Sequence, residues 1–416
     1  MNFWYPQTYF IDKSMVIKVF LKCRHKFIIV SAPQGFLKTS NMQMIASFLA
    51  ISTDQNYIQQ RKHQLHELKI GKETRLINRY FGRHPVLFLN FGLPNCVRNI
   101  YSMVDFFRKI YEQHIFLLNS PLLSSAQKTN FKIYLNYRNE YIGVSETKLA
   151  DALKTLCELL FVHYRKKVFL FIDNYDYPLL ECINKDTPLH NIQPFLGKMM
   201  TKIHKSVAVR KIFLTGLTGL TGTNKGNFKI YRFLHNHSFS KYYGLTENDV
   251  YHIANNVRCS TEIINEILSK EYRTVQNLKI YSPEWVHDFL KYKFIENEMY
   301  FADIFNKPVL HNALMKNLIQ KLLQGRKLKI MSRKFNLQMD VLDLNRLMNG
   351  NAEELELDEI ELILSFLFEF GLFTFVTKNW KESIFDLLTR KPKLTVILNN
   401  TCRAVSHLIK NFNNAL

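Results

Sequence analysis

Cysteine pairs are missing from this chain. The six cysteines, Cys23, Cys96, Cys157, Cys182, Cys259 and Cys402, are scattered, and no C-x-x-C spacing links any two. Several lie in apolar runs, where a thiol behaves as a small hydrophobe. This argues against a disulfide scaffold and for a reducing, intracellular setting, cytoplasmic or nuclear. A bilayer-spanning run is missing too. The most apolar later stretch, LILSFLFEFGLFTFV (362–376), is too short and carries Glu369. The N-terminal MNFWYPQTYFIDKS has neither the basic start nor the unbroken apolar core of a secretory leader, so no membrane partner is expected. Acid is in short supply: 35 Asp and Glu stand against 56 Lys and Arg, a formal charge of +21. A surplus of that sign attracts phosphates, whether of nucleotides or of nucleic acid. A coding bias toward Lys, Asn, Ile and Phe accounts for it equally well. His63 with His66, and His235 with His237, lack the Cys or carboxylate that would complete a zinc set at ligand spacing.

What is present is apolar residue in quantity. It makes up 47% of 416 residues, enough for a well-buried core and two or three domains. Four short apolar runs end at polar residues: FIIVSA (27–32), PVLFLNF (85–91), KVFLFID (167–173) and KIFLTGL (211–217). Near-continuous apolar strands suit a parallel sheet covered on both faces. Helical periods lie between them. Met42, Ile45, Ala46 and Leu49 share one face, as do Leu149, Leu153, Leu156 and Leu160 behind Ser145 as N-cap. The alternation predicts an α/β core over 9–245. From about 246 to 416 helical patterns dominate, and 293–325 reads as helices broken at Pro308 and ended at Gly325. The segment 61–83 is strongly basic. Its Tyr80 and Phe81 either stack on bases or pack in the core.

Two strand ends carry chemistry. In FIIVSAPQGFLKTSN (27–41) a strand runs into a turn, and Lys38-Thr39 opens a helix. That is the context of the phosphate loop G-x-x-x-x-G-K-[ST], in which backbone N–H groups and a helix N-terminus surround phosphates. Both glycines are replaced, by Ala32 and Leu37, while Gly35 leaves some freedom between them. A left-handed Leu37 would cost about 1–2 kcal/mol. The second strand end is Asp173 in VFLFIDNYDYPL (168–179), placed as the acid that orients Mg²⁺. The next residue, Asn174, is an amide, which can orient a water but cannot take its proton. Asp176 is the nearby carboxylate. LTGLTGLTG (214–222) is either a flexible loop or a loop facing the nucleotide.

Taken together these segments resemble the AAA-ATPase-like P-loop proteins of bacteria and some insects. APQGFLKTSNMQMI stands where that family usually has A/R-P-R-R-F-G-K-S-T-N-x-x-M, so Gln34 and Gly35 replace two arginines and Leu37 replaces Gly. KVFLFIDNYDYPL stands for a motif ending I-D-E-Y-D-x-P, with Asn174 where Glu is usual. KIFLTGL, YYGLTENDV (242–250), IYSPEWV (280–286) and FLFEFGLFTF (366–375) are similar to its later motifs. The resemblance implies an additional-strand P-loop core, with one strand between the loop strand and the Asp173 strand. A helical lid and a winged-helix-like or bundle region would follow. It implies ATP and Mg²⁺ as cofactors. Gly35, Lys38, Thr39, Ser40 and Thr215 are the expected nucleotide contacts, and Thr39 and Asp173 the Mg²⁺ ligands. Asn174, and failing it Asp176, would sit at the catalytic position. Hydrolysis is expected to be weak or lost, leaving a switch or scaffold. The alternative is an interaction protein that binds nucleic acid or protein through its basic surface.

Overall fold

The computed structural model describes residues 11–92, 100–136, 145–184, 192–219, 228–232, 234–235, 237–274, 276–290, 313–331, 357–376 and 393–398. Five parallel strands form the central sheet: β1 (Phe27–Ser31), β2 (Val86–Asn90), β3 (Val168–Asp173), β4 (Val209–Gly216) and β5 (Phe228–Arg232), in the order β2-β3-β4-β1-β5. One strand, β4, therefore separates β1 from β3, the additional-strand arrangement the resemblance implies. The central strands β1 and β3 are buried along their whole length, as their unbroken apolar runs require. The edge strand β2 alternates between half-buried and buried positions. The opposite edge, β5, reads FKIYR. Lys229 and Arg232 interrupt its apolar residues, and only the other four strands announce themselves as apolar runs in the sequence.

Helices α1 (Val16–Lys22), α2 (Lys38–Leu49), α7 (Glu146–Tyr164) and α9 (Ile192–Lys205) cover the sheet. Phe20 of α1 lies 5.0–6.0 Å from the rings of Phe169, Phe171 and Phe213. In α7 the side chain of Ser145 accepts the Lys148 amide, an N-cap, and Leu149, Leu153, Leu156 and Leu160 are all buried. Met42, Ile45, Ala46 and Leu49 of α2 are buried as well. Arg61 and Tyr80, both in the basic segment 61–83, are buried, and Phe81 is half-buried and packed against the core. The Arg61 guanidinium donates to the carbonyls of Ala50 and Ser47. Among the described residues these two rings serve packing.

Beyond Leu245 the strands are short and antiparallel. A hairpin pairs Tyr272–Arg273 with Lys279–Ile280, and a three-stranded sheet joins Leu328–Met331, Lys393–Leu398 and Phe373–Phe375. The region expected to be mainly helical thus also carries short strands. Strands of two to six residues with interspersed charge leave no alternation long enough to read. The helix Ala313–Leu323 ends before Gly325, which has φ +78°, as expected; Pro308 lies outside the described residues. The helix Leu357–Glu369 joins the main apolar core through Ile363, Phe366 and Leu367.

Candidate functional site

The carboxyl ends of β1, β3 and β4 meet where α2 begins. Register aligns Ser31 with Gly216, and the Ala32 amide donates to the Gly216 carbonyl at 3.1 Å. From there residues 32–37 turn into α2. Leu37 precedes that helix with φ 53° and ψ 26°, the left-handed conformation that glycine would adopt freely. Leu37 thus holds the backbone shape that a glycine would give the loop at this position. Leu37 is only 7% exposed, so the burial of its side chain offsets the backbone cost. Gly35 has φ +77°, and a Cβ there would fall 2.5 Å from the Cβ and Oε2 atoms of Glu284.

Lys38, Asp173 and Thr215 are all fully buried. The Lys38 ammonium donates to the Pro33 carbonyl at 2.8 Å, folded back on its own loop. The Asp173 carboxylate accepts from the Thr39 hydroxyl at 2.6 Å and from the Thr215 hydroxyl at 2.5 Å. Burial raises the Asp173 carboxyl above the usual range. The two hydroxyls, the Lys38 charge and the Asn174 amide oppose that rise without cancelling it. Ser40 is half-buried in the first turn of α2. Five of the residues singled out by sequence, Lys38, Thr39, Asp173, Thr215 and Gly35, therefore line one loop and the strand ends beneath it. The chemistry they offer is a set of hard oxygens, one ammonium and the N-terminus of a 12-residue helix. Among the described residues no group of three or more His, Cys, Asp and Glu gathers to hold a metal ion.

Asn174 and Asp176 are placed differently. Asn174 is left-handed, with φ 50°, and its side-chain amide donates to Asn90 Oδ1 at 3.0 Å. Asn90 ends β2 directly beside Asp173, so the residue after the acid is tied sideways to the neighbouring strand. Asp176 Oδ2 accepts from both the backbone amide and the hydroxyl of Thr218, each at 2.8 Å. It pins the loop after β4. Full burial pushes its carboxyl up to about 6, against the pull of Thr218 and the charge of Lys38.

Five contributors were not foreseen. Asn90 is one, and its signal was a polar residue closing an apolar run. The others arrive from the distal part of the chain. The Glu284 amide donates to the Gly35 carbonyl at 3.3 Å, and the rings of Tyr272 and Phe36 meet edge to face at 5.4 Å. Gly371, with φ +86°, lies against Pro33, where a Cβ would come within 2.9 Å of the proline ring. Glu369 accepts the Gly219 amide at 2.7 Å and forms an ion pair with Arg232 at 2.5 Å, both side chains being buried. Residues 33–36 are thus roofed by the hairpin, by the helix Pro283–Phe289 that carries Glu284, and by the turn at Gly371.

Comparison with known proteins follows this geometry. No curated protein matches the chain. Among solved structures, the Walker-type ATPase PABY2304 of Pyrococcus abyssi is 9% identical, with 96% of this chain and 94% of that one covered, at a TM-score of 0.42. A family model described as "Predicted AAA-ATPase" matches residues 4–224, which includes the loop, Lys38, Asp173 and Thr215. The match spans more than half of the chain, and the chain belongs to the AAA-ATPase-like family of P-loop proteins.

Proposed function

We propose that this protein binds ATP with Mg²⁺ at the head of α2 and hydrolyses it slowly or not at all, so that it works as a nucleotide-dependent switch or scaffold. The observation that carries the reading is the convergence of the Thr39 and Thr215 hydroxyls on Asp173 beside buried Lys38. Hard oxygen donors fit Mg²⁺, which takes few protein ligands and completes its shell with water and phosphate. Thr39 and Asp173 would hold the ion, and when bound it would neutralise phosphate charge. Lys38 supplies a second positive charge, and the amides that open α2 supply N–H donors.

Weak turnover is read from Asn174. An in-line water needs a group that both orients it and accepts its proton, and a general base contributes typically 10²–10⁴-fold. Asn174 is uncharged, and its amide is already engaged with Asn90. Asp176 is engaged with Thr218.

The test is thermal unfolding of the full chain with ATP and Mg²⁺, repeated in Lys38→Ala and Thr39→Ala. A ligand at a hundred times its Kd stabilises a fold by about 2.7 kcal/mol. The parent should gain that increment and the two variants should lose it, while their nucleotide-free melts show that they are folded. No nucleotide-dependent shift in the parent, or an undiminished shift in Lys38→Ala, overturns the proposal.

A further inference from the structure

The opposite edge of the sheet has a character that the nucleotide reading does not use. Each of the strands β1 to β4 is entered through a basic turn. Before β1 come Arg24, His25 and Lys26. Before β2 come Arg83 and His84, and before β3 come Arg165, Lys166 and Lys167. Lys205 precedes β4, whose first residues include Arg210 and Lys211. The parallel register sets these turns side by side. The Phe169 amide donates to the Pro85 carbonyl, the Val168 amide to Ala208, and the Ile212 amide to Lys26. Neighbouring strands lie about 4.8 Å apart, so the row across these four adjacent strands is roughly 14 Å wide.

The charges in this row are not neutralised. Arg24, Arg83, Arg165, Lys166, Lys167 and Lys205 are exposed, and among the described residues no carboxylate pairs with any of them. Lys26 and Lys211 turn inward to backbone carbonyls, Lys26 to His204 and Ser206, Lys211 to Phe20 and Cys23. Their charge stays at the edge even so. The cations also feel one another. Lys26 is lowered by burial and by the charge of Lys167, and His84 is held down to about 4 by burial together with Arg210 and Lys166. Glu158, the carboxylate in the last turns of α7, is taken up by Lys154 and Ser206. Arg165 even occupies a left-handed helix C-cap, φ 51°, where glycine would be unstrained. A row of like charges destabilises a fold unless something anionic lies against it.

We infer that the amino-terminal edge of the sheet is a docking surface for the phosphate backbone of duplex nucleic acid. A row fixed by strand spacing suits a polymer whose phosphates are fixed too. The row fits within the breadth of one duplex, and three guanidiniums present the planar fork that grips phosphate oxygens in pairs. Among the described residues the edge carries no groove-entering element, so binding is indifferent to sequence. It also lies one strand length from the phosphate loop, roughly 16 Å for five residues, so both ligands can be held at once.

The experiment uses the full chain and a fluorescein-labelled 25-base-pair duplex of mixed sequence, with anisotropy followed from 50 to 200 mM salt. Arg165→Asn, Lys166→Gln and Lys167→Gln are combined in one variant. Asparagine keeps the left-handed turn accessible. A control variant neutralises three exposed cations elsewhere, Lys132, Lys321 and Lys327, to glutamine. The parent should bind with a slope of log K against log salt near −0.9 per phosphate contacted. The edge variant should bind about tenfold or more weakly, with a slope shallower by about 2 to 3, and the control should follow the parent. Equal loss in both variants, unchanged binding in the edge variant, or no binding at 50 mM overturns the inference. So does capture by phosphatidylserine vesicles but not by the duplex, which would make the surface a membrane-facing one.

Discussion

Leu37 offers the sharpest test of how the loop keeps its shape. Its backbone sits at φ 53°, and its side chain is 93% removed from solvent on the 7% exposure that remains. An L-residue held left-handed costs about 1–2 kcal/mol. Burying a leucine side chain contributes about 1.5–3 kcal/mol in the other direction. Leu37→Ala discards the burial and keeps the backbone cost, so it should destabilise the protein by about 2–3 kcal/mol. Leu37→Gly discards both, which leaves a net loss of about 1–2 kcal/mol after the greater freedom of the unfolded glycine chain is included. The glycine variant should therefore be the more stable of the two by about 1 kcal/mol, the reverse of the order found in helices and strands. Urea unfolding of the three proteins gives the free energies, and nucleotide titration gives affinities. With the isobutyl group gone, backbone and phosphate can approach more closely, so Leu37→Gly should bind ATP more tightly than the parent in spite of its lower stability. An alanine variant at least as stable as the glycine variant would show that the loop does not hold a left-handed residue here, and the reasoning would fail.

Three further outcomes follow. Asn174→Glu should raise steady-state phosphate release by ten-fold or more with nearly unchanged ATP affinity, since it places a proton acceptor at the strand end; unchanged release would show that Asn174 does not limit turnover. Asp176 has a folded pKa of about 6 against 3.8 when free, so the folded state holds the proton longer, and its contribution to stability declines as pH rises from about 4 to 6 and stays low above that. The shift corresponds to about 3 kcal/mol, and Asp176→Asn should flatten that part of the stability–pH curve in urea titrations; a parallel curve refutes it. Glu369→Gln leaves Arg232 buried without its counter-charge and should cost about 3–5 kcal/mol, read by the same unfolding assay, whereas a neutral result would show that water reaches the pair.

Much of the core was readable because parallel strands buried on both faces write themselves as unbroken apolar runs, as at 27–31 and 168–173. Lys38, Thr39 and Asp173 were readable because each sits at a strand end or helix start, where local pattern fixes position. Thr215 was readable as a loop residue, but its bond to Asp173 depends on β4 lying between β1 and β3, which spacing alone does not reveal. β5 was hidden because Lys229 and Arg232 break its apolar run. Tyr272, Glu284 and Gly371 reach the loop through contacts far apart in sequence, and no periodicity in 272–290 or 357–376 marks the face that meets residues 33–36.

That distance along the chain has a temporal side. Pro33, Gly35 and Phe36 are synthesised early, with the first strand of the sheet, whereas Tyr272, Glu284 and Gly371 come hundreds of residues later. Chains fold from the N-terminus as they are made, at about 5–20 residues per second, so the phosphate loop stands uncovered for on the order of ten to fifty seconds before its cover exists. During that interval the head of α2 is open to any phosphate in its surroundings, and the nascent core meets its first ligand, if it meets one, before the protein is whole.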